Sequence, residues 1–169
     1  MKNTIKVFVL VALTLAAMSV SAQVKLGHIE TQKLIQAMPE WTAAQKTFEE
    51  EQKKVNTELN SLREQFQTKL AEYSEKMKTY SEAMRATTEE ELQGLQQRIQ
   101  RFQETAMAQL EKTQNDLMQP VMEKALNAIK EVGKENGFTY IFDMNAGILY
   151  AAENSQDVLP LVKKKLGLH

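Results

Sequence analysis

The apolar residues between Val55 and Leu117 are spaced as a palindrome. They rise as Val55, Leu59, Leu62, Phe66, Leu70, Tyr73, Met77 and Tyr80, and return as Leu92, Leu95, Ile99, Phe102, Ala106, Leu110, Thr113 and Leu117. Paired from the inside out, from Tyr80 with Leu92 to Val55 with Leu117, the two residue numbers of every pair sum to 172. Steps of three and four keep a narrow stripe on one helical face, the seam of a coiled coil. Two such stripes in mirror order predict two antiparallel helices folded about residue 86, with Leu70 facing Phe102 in mid-hairpin. Each arm has one place where two steps of four run together, at 62, 66, 70 and at 102, 106, 110. Such a step belongs to an eleven-residue repeat that relaxes the left-handed supercoil.

Between the seam positions the chain is Glu, Gln, Lys, Ser and Thr, a solvated face. No proline lies between Pro39 and Pro120, and Gly94 is the single glycine there. At about 1.5 Å per residue, an arm of roughly 40 to 45 residues reaches about 60 to 70 Å. That is too long for a globular core, so residues 41–118 are expected to project as a hairpin. The expected tip is Arg85-Ala86-Thr87-Thr88, where Thr88 and Glu91 form a capping box. Glu89, Glu90 and Glu91 suit the positive start of the second helix.

Residues 1–22 read as a cleaved signal peptide. Lys2 and Lys6 form a basic start, Val7 to Ala17 an apolar run, and Val20-Ser21-Ala22 a small-residue cleavage site. The run is shorter than the roughly 20 residues that span a bilayer. The chain has no cysteine, which excludes disulfides, thiol chemistry and thiolate metal sites. Without Lys2 and Lys6, 19 basic residues face 22 acidic ones, a net charge of −3. Residues 40–118 hold 11 basic and 15 acidic residues. This is not a nucleic-acid footprint, and it speaks against a lipopolysaccharide site of clustered basic residues.

The remainder, residues 23–40 plus 119–169, makes a body of only 69 residues. Val24 to Ile29 reads as a strand with Val24, Leu26 and His28 on one face. Thr31 to Met38 reads as a short helix that Pro39 stops. Pro120 is expected to interrupt or kink the descending helix, which resumes through Val121, Ala125, Ile129 and Val132 to end at Gly133 or Gly137. Phe138 to Asp143 reads as a strand, Asn145-Ala146-Gly147 as a turn, and Ile148 to Ala151 as its hairpin partner. Gln156 to Leu166 reads as a terminal helix with Pro160 in its first turn. The fold class is α+β and mostly α. Strands apolar on both faces need cover on both, which so small a body can hardly supply; association of copies is the natural solution. Leu26, Tyr140, Phe142, Ile148 and Tyr150 are the expected core of the body and its association surface.

No phosphate loop, dinucleotide fingerprint or HExxH motif occurs, and no catalytic constellation, metal site or cofactor site is found. His28 reads as a packing residue on a strand face. Met107 and Met118 lie beside the seam, not in it, and are candidates for soft contact with varied partner surfaces.

The order of parts resembles a known family. A signal peptide leads to the VKLGHIETQKLIQAMPEW strand and helix; a long charged helical hairpin follows, then GFTYIFDMNAGILYA and a terminal helix. This is similar to the Skp/OmpH family of periplasmic chaperones across nearly all of the mature chain. The resemblance implies a homotrimer whose bodies associate and whose arms enclose unfolded outer-membrane proteins without ATP. It implies no enzyme activity. A structural or adaptor coiled coil of the envelope is the alternative, although a body of 69 residues is too small for the flanking β domains of an efflux adaptor. A lipid-surface binder would show a basic amphipathic helix, which the arms lack.

Overall fold

The computed structural model describes residues 24–152 and 154–168; the signal-peptide reading of 1–22 lies outside them. Strand β1 (Leu26–Ile29) leads into α1 (Thr31–Gln36). Helix α2 (Pro39–Lys76, 38 residues) ascends and α3 (Glu82–Glu135, 54 residues) descends. Strand β2 (Tyr140–Asp143), the short strand β3 (Gln156–Asp157) and α4 (Leu159–Lys165) complete the chain. The fold is α+β, dominated by two long helices that project from a small body.

The hairpin exists, but its tip is earlier than the palindrome predicts. Helix α2 ends at Lys76, and α3 starts at Glu82 with Ser81 as its N-cap; the Ser81 hydroxyl accepts from the Met84 N–H at 3.3 Å. Residues 85–88 lie inside α3. Thr88 is no cap: its hydroxyl donates to the Met84 carbonyl one turn back, and Thr87 does the same to Ala83. A threonine inside a helix uses its hydroxyl in this way.

The register shifts with the tip. Three polar contacts cross the hairpin: Lys69 with Glu91, Tyr73 with Glu89, and Glu40 with Lys124. Their residue numbers sum to 160, 162 and 164, against the predicted 172. One helix has therefore moved past the other by about three turns. Leu70 does not face Phe102. Leu62, 1% exposed, falls level with Ile99, and Phe66 with Leu95. Most of the seam stands, because a stripe that repeats every eleven residues meets its partner again after three turns, but Leu70 and Met77 near the tip are left exposed.

Pro120 does not interrupt α3, which runs continuously through it. Past Pro120 one face of α3 becomes the main wall of the body. Val121, Ala125, Ala128 and Val132 are buried there with Ile29, Leu34, Met38, Val158 and Val162. The helix ends in a Schellman motif: Gly137 has φ +68°, Phe138 N–H donates to the Gly133 carbonyl, and Gly137 N–H to that of Lys134.

The sheet is parallel, in the order β2-β1-β3, with Leu26 opposite Tyr140 and His28 opposite both Phe142 and Asp157. The predicted β2 hairpin is absent, and Ile148 to Ala151 forms no strand. The side chains after β2 are spent on α1 instead. Asp143 accepts from the Thr31 hydroxyl at 2.5 Å and the Thr31 N–H at 3.3 Å, and Asn145 accepts from the Gln32 N–H at 3.3 Å. With Met144 N–H on the Ile29 carbonyl, the chain is led over the start of α1 rather than back along β2. Gln156 and Asp157 are strand rather than helix. Pro160 does sit in the first turn of α4, and Lys165 pairs with Glu131 (3.1 Å) and Glu135 (2.6 Å) to hold α4 on α3.

Candidate functional site

One face of the sheet is covered and the other is not. Side chains alternate across a strand. Gly27 and Ile29 point to the core side, where a Cβ on Gly27 would stand 2.9 Å from the Phe138 ring and 3.0 Å from Val158. Gly133 of α3 approaches closely enough that its own Cβ would meet Ile141 at 3.2 Å. Leu26, His28, Tyr140 and Phe142 point the other way. Leu26, Tyr140 and Phe142 are exposed, and the rings of Tyr140 and Phe142 stack with centroids 6.0 Å apart.

The stretch after β2 runs past this open face and makes it a groove of about 790 Å³. Val24, Leu26 and Phe142 line it together with Met144, Ile148 and Tyr150. His28 is half-buried in it, its Nδ1 2.9 Å from the Ser155 hydroxyl. The five body residues predicted from sequence therefore do come together, four of them along this groove, but on the open face and not in the core of the single chain. The true core uses Ile29, Leu34, Val158 and Val162 instead. Leu149, not singled out in the sequence, is 99% exposed and projects from the same stretch.

The arm forms the second surface. Met107 is 74% exposed at mid-arm. Met118, by contrast, packs against the body core at the arm's root. Met77 and Met84 flank the tip and are exposed. The tip is tied by Tyr73, which donates to Glu89 and lies 6.3 Å from the Tyr80 ring. That hydrogen bond is the main cause holding the Tyr73 phenol above its ordinary range. Lys69 is likewise held above its usual value, chiefly by its bond to Glu91. Among the described residues, no cluster of three or more His, Cys, Asp or Glu could hold a metal ion, and no helix is long and apolar enough to cross a membrane.

Residues 25–166 match the family described as Outer membrane protein (OmpH-like). The chain belongs to the OmpH-like family. A search of curated proteins finds no match. Among solved structures, the chain is similar to that of a candidate outer membrane chaperone (OmpH-like) from Caulobacter crescentus. The two share 16% identity at a TM-score of 0.74, over 83% of this chain and 82% of that one. At that identity the likeness is one of fold. OmpH-like architecture thus accounts for the arm, the body and their order along the chain.

Proposed function

We propose that this OmpH-like protein is an ATP-independent holdase of the periplasm, reached by way of a cleaved signal peptide. It assembles as a homotrimer and encloses unfolded outer-membrane β-barrel proteins between its arms. The observation that carries this reading is the division of the chain into two unlike surfaces. The body exposes a contiguous apolar sheet face, suited to permanent association. The arm exposes isolated methionines, Met77, Met84 and Met107, in a polar surface. Scattered flexible thioethers make many weak contacts and fit no single partner, which is what holding an unfolded chain requires. A barrel protein kept from pairing its strand edges does not aggregate.

The test is refolding of an outer-membrane barrel, followed by light scattering, with the full protein and with a shortened one. Removing residues 67–94 and joining Phe66 to Leu95 through a glycine-containing turn cuts both arms at the observed register. The full protein suppresses scattering; the shortened one keeps its oligomeric state but fails to protect. Equal protection by both would leave the arms without a holding role and favour a structural, scaffolding function.

A further inference from the structure

We infer that Leu149 of one copy seats in the sheet-face groove of the next, so that the bodies close head to tail into a ring. The inference rests on the homotrimer proposed above and assigns the contact that makes it.

Among the described residues, six of the twelve exposed large apolar side chains lie within 24–26 and 140–150: Val24, Leu26, Tyr140, Phe142, Leu149 and Tyr150. This is a concentrated patch and not the scatter of a monomer surface. The groove within it suits an uncharged apolar occupant. Among the described lining residues Lys25 is the one constantly charged side chain, and its ammonium is engaged elsewhere: it donates to the Asn136 carbonyl at 2.8 Å and lies 4.2 Å from the Phe138 ring centroid.

Leu149 is the occupant the chain itself offers. Ile148 and Tyr150 line the chain's own groove, and Leu149 between them does not. With its two neighbours bordering the groove and its own side chain fully exposed, Leu149 does not fill the groove of its own chain. Its 99% exposure leaves a leucine fully in water. Burying such a side chain favours association. Leu149 and the groove it enters are different residues, so with the three copies proposed above the contact runs head to tail and closes a ring; reciprocal exchange between two copies would instead give a two-fold dimer.

The chain has no cysteine, which permits a clean cross-linking test. Copies carrying Leu149→Cys are mixed with copies carrying either Leu26→Cys or Phe142→Cys and oxidised. A disulfide between the two kinds of copy is expected with at least one acceptor, and a covalent ring when one chain carries both changes. Leu149→Asp, at a position free of contacts within the chain, should keep the helical circular dichroism while raising the dissociation constant of the assembly about a hundredfold or more. Absence of any cross-link in a mixture that sediments as a trimer would overturn the seating and leave the trimer standing. Absence in a mixture that sediments as a monomer would overturn both. Cross-linking only within one chain would mean that Leu149 closes over its own groove. A Leu149→Asp protein that assembles normally but no longer holds a barrel would show that the groove takes client instead.

Discussion

Lys124 of α3 donates to the Glu40 carboxylate at the first turn of α2, joining the two helices at the root of the arm. Glu40 is held below the ordinary carboxylate range, first by that hydrogen bond. The pair is exposed and adds little stability by itself. Its importance is positional: with Lys69 and Glu91 near the tip, it marks one register along the whole arm.

That register is open to direct measurement. Zero-length carbodiimide coupling followed by mass spectrometry should join Lys69 to Glu91 and Lys124 to Glu40. The palindromic register would instead bring Lys69 level with Gln103, beside the carboxylate of Glu104. Recovery of a Lys69–Glu104 peptide in place of Lys69–Glu91 would show the observed pairing to be wrong.

Asp143 couples the sheet to α1, and the coupling depends on pH. Burial, the largest influence, raises its pKa; hydrogen bonds from the Thr31 hydroxyl and the Asn145 and Thr31 backbone together outweigh it and hold the carboxyl below its ordinary value. A depressed folded pKa means that the stabilisation is complete above the unfolded aspartate value and is lost as pH falls through the folded one. Asp143→Asn should therefore cost about 1 kcal/mol at neutral pH. The thermal midpoints of variant and parent should converge in acid. A constant difference across the pH range would assign the loss to shape and not to charge.

Gly27 sits where β1 presses on Phe138 and Val158. Adding a methyl group there forces the Phe138 ring or the strand to move, and Gly27→Ala should destabilise the body by about 1 to 3 kcal/mol. Chemical denaturation monitored by circular dichroism measures it. An unchanged midpoint would mean that the Phe138 ring yields freely.

Gly94 lies in the exposed middle of a helix, with no atom near its missing side chain. Gly94→Ala should stabilise the arm by about 0.5 to 1 kcal/mol, and slow hydrogen exchange there more than in the body. Slower exchange throughout the body instead would show that arm and body open as one unit.

Much of the body's helical wall was legible from spacing alone. Val121, Ala125 and Val132 recur at helical intervals and are buried; Gly137, read as a possible helix end, provides the left-handed cap. The strands were harder. Phe138 to Asp143 has β-propensity, but propensity does not choose a partner, and Asn145-Ala146-Gly147 looked like a hairpin turn. The decisive side chains were Asp143 and Asn145, whose bonds go to α1, more than a hundred residues away in sequence. The open face was foreseen in Leu26, Tyr140 and Phe142 because apolar residues on both sides of a strand demand cover on both. Leu149 was missed because exposure cannot be read from a run that is apolar throughout.

The sequence by itself determined that there are two antiparallel helices, which residues form their facing stripes, and that the body has apolar surface beyond what it can bury. These follow from periodicity, a local property of the chain. Only the tertiary structure decided where the helices turn and which residues stand opposite. A seam with an eleven-residue repeat is nearly indifferent to a slip of three turns, so the palindrome could not choose. The choice came from the ends: Ser81 caps α3 early, and the root of the arm is pinned where Glu40 meets Lys124 and Val121 enters the core. The parallel sheet was decided in the same way, by bringing β1 and β2 together across the whole arm, a closure that no local pattern records.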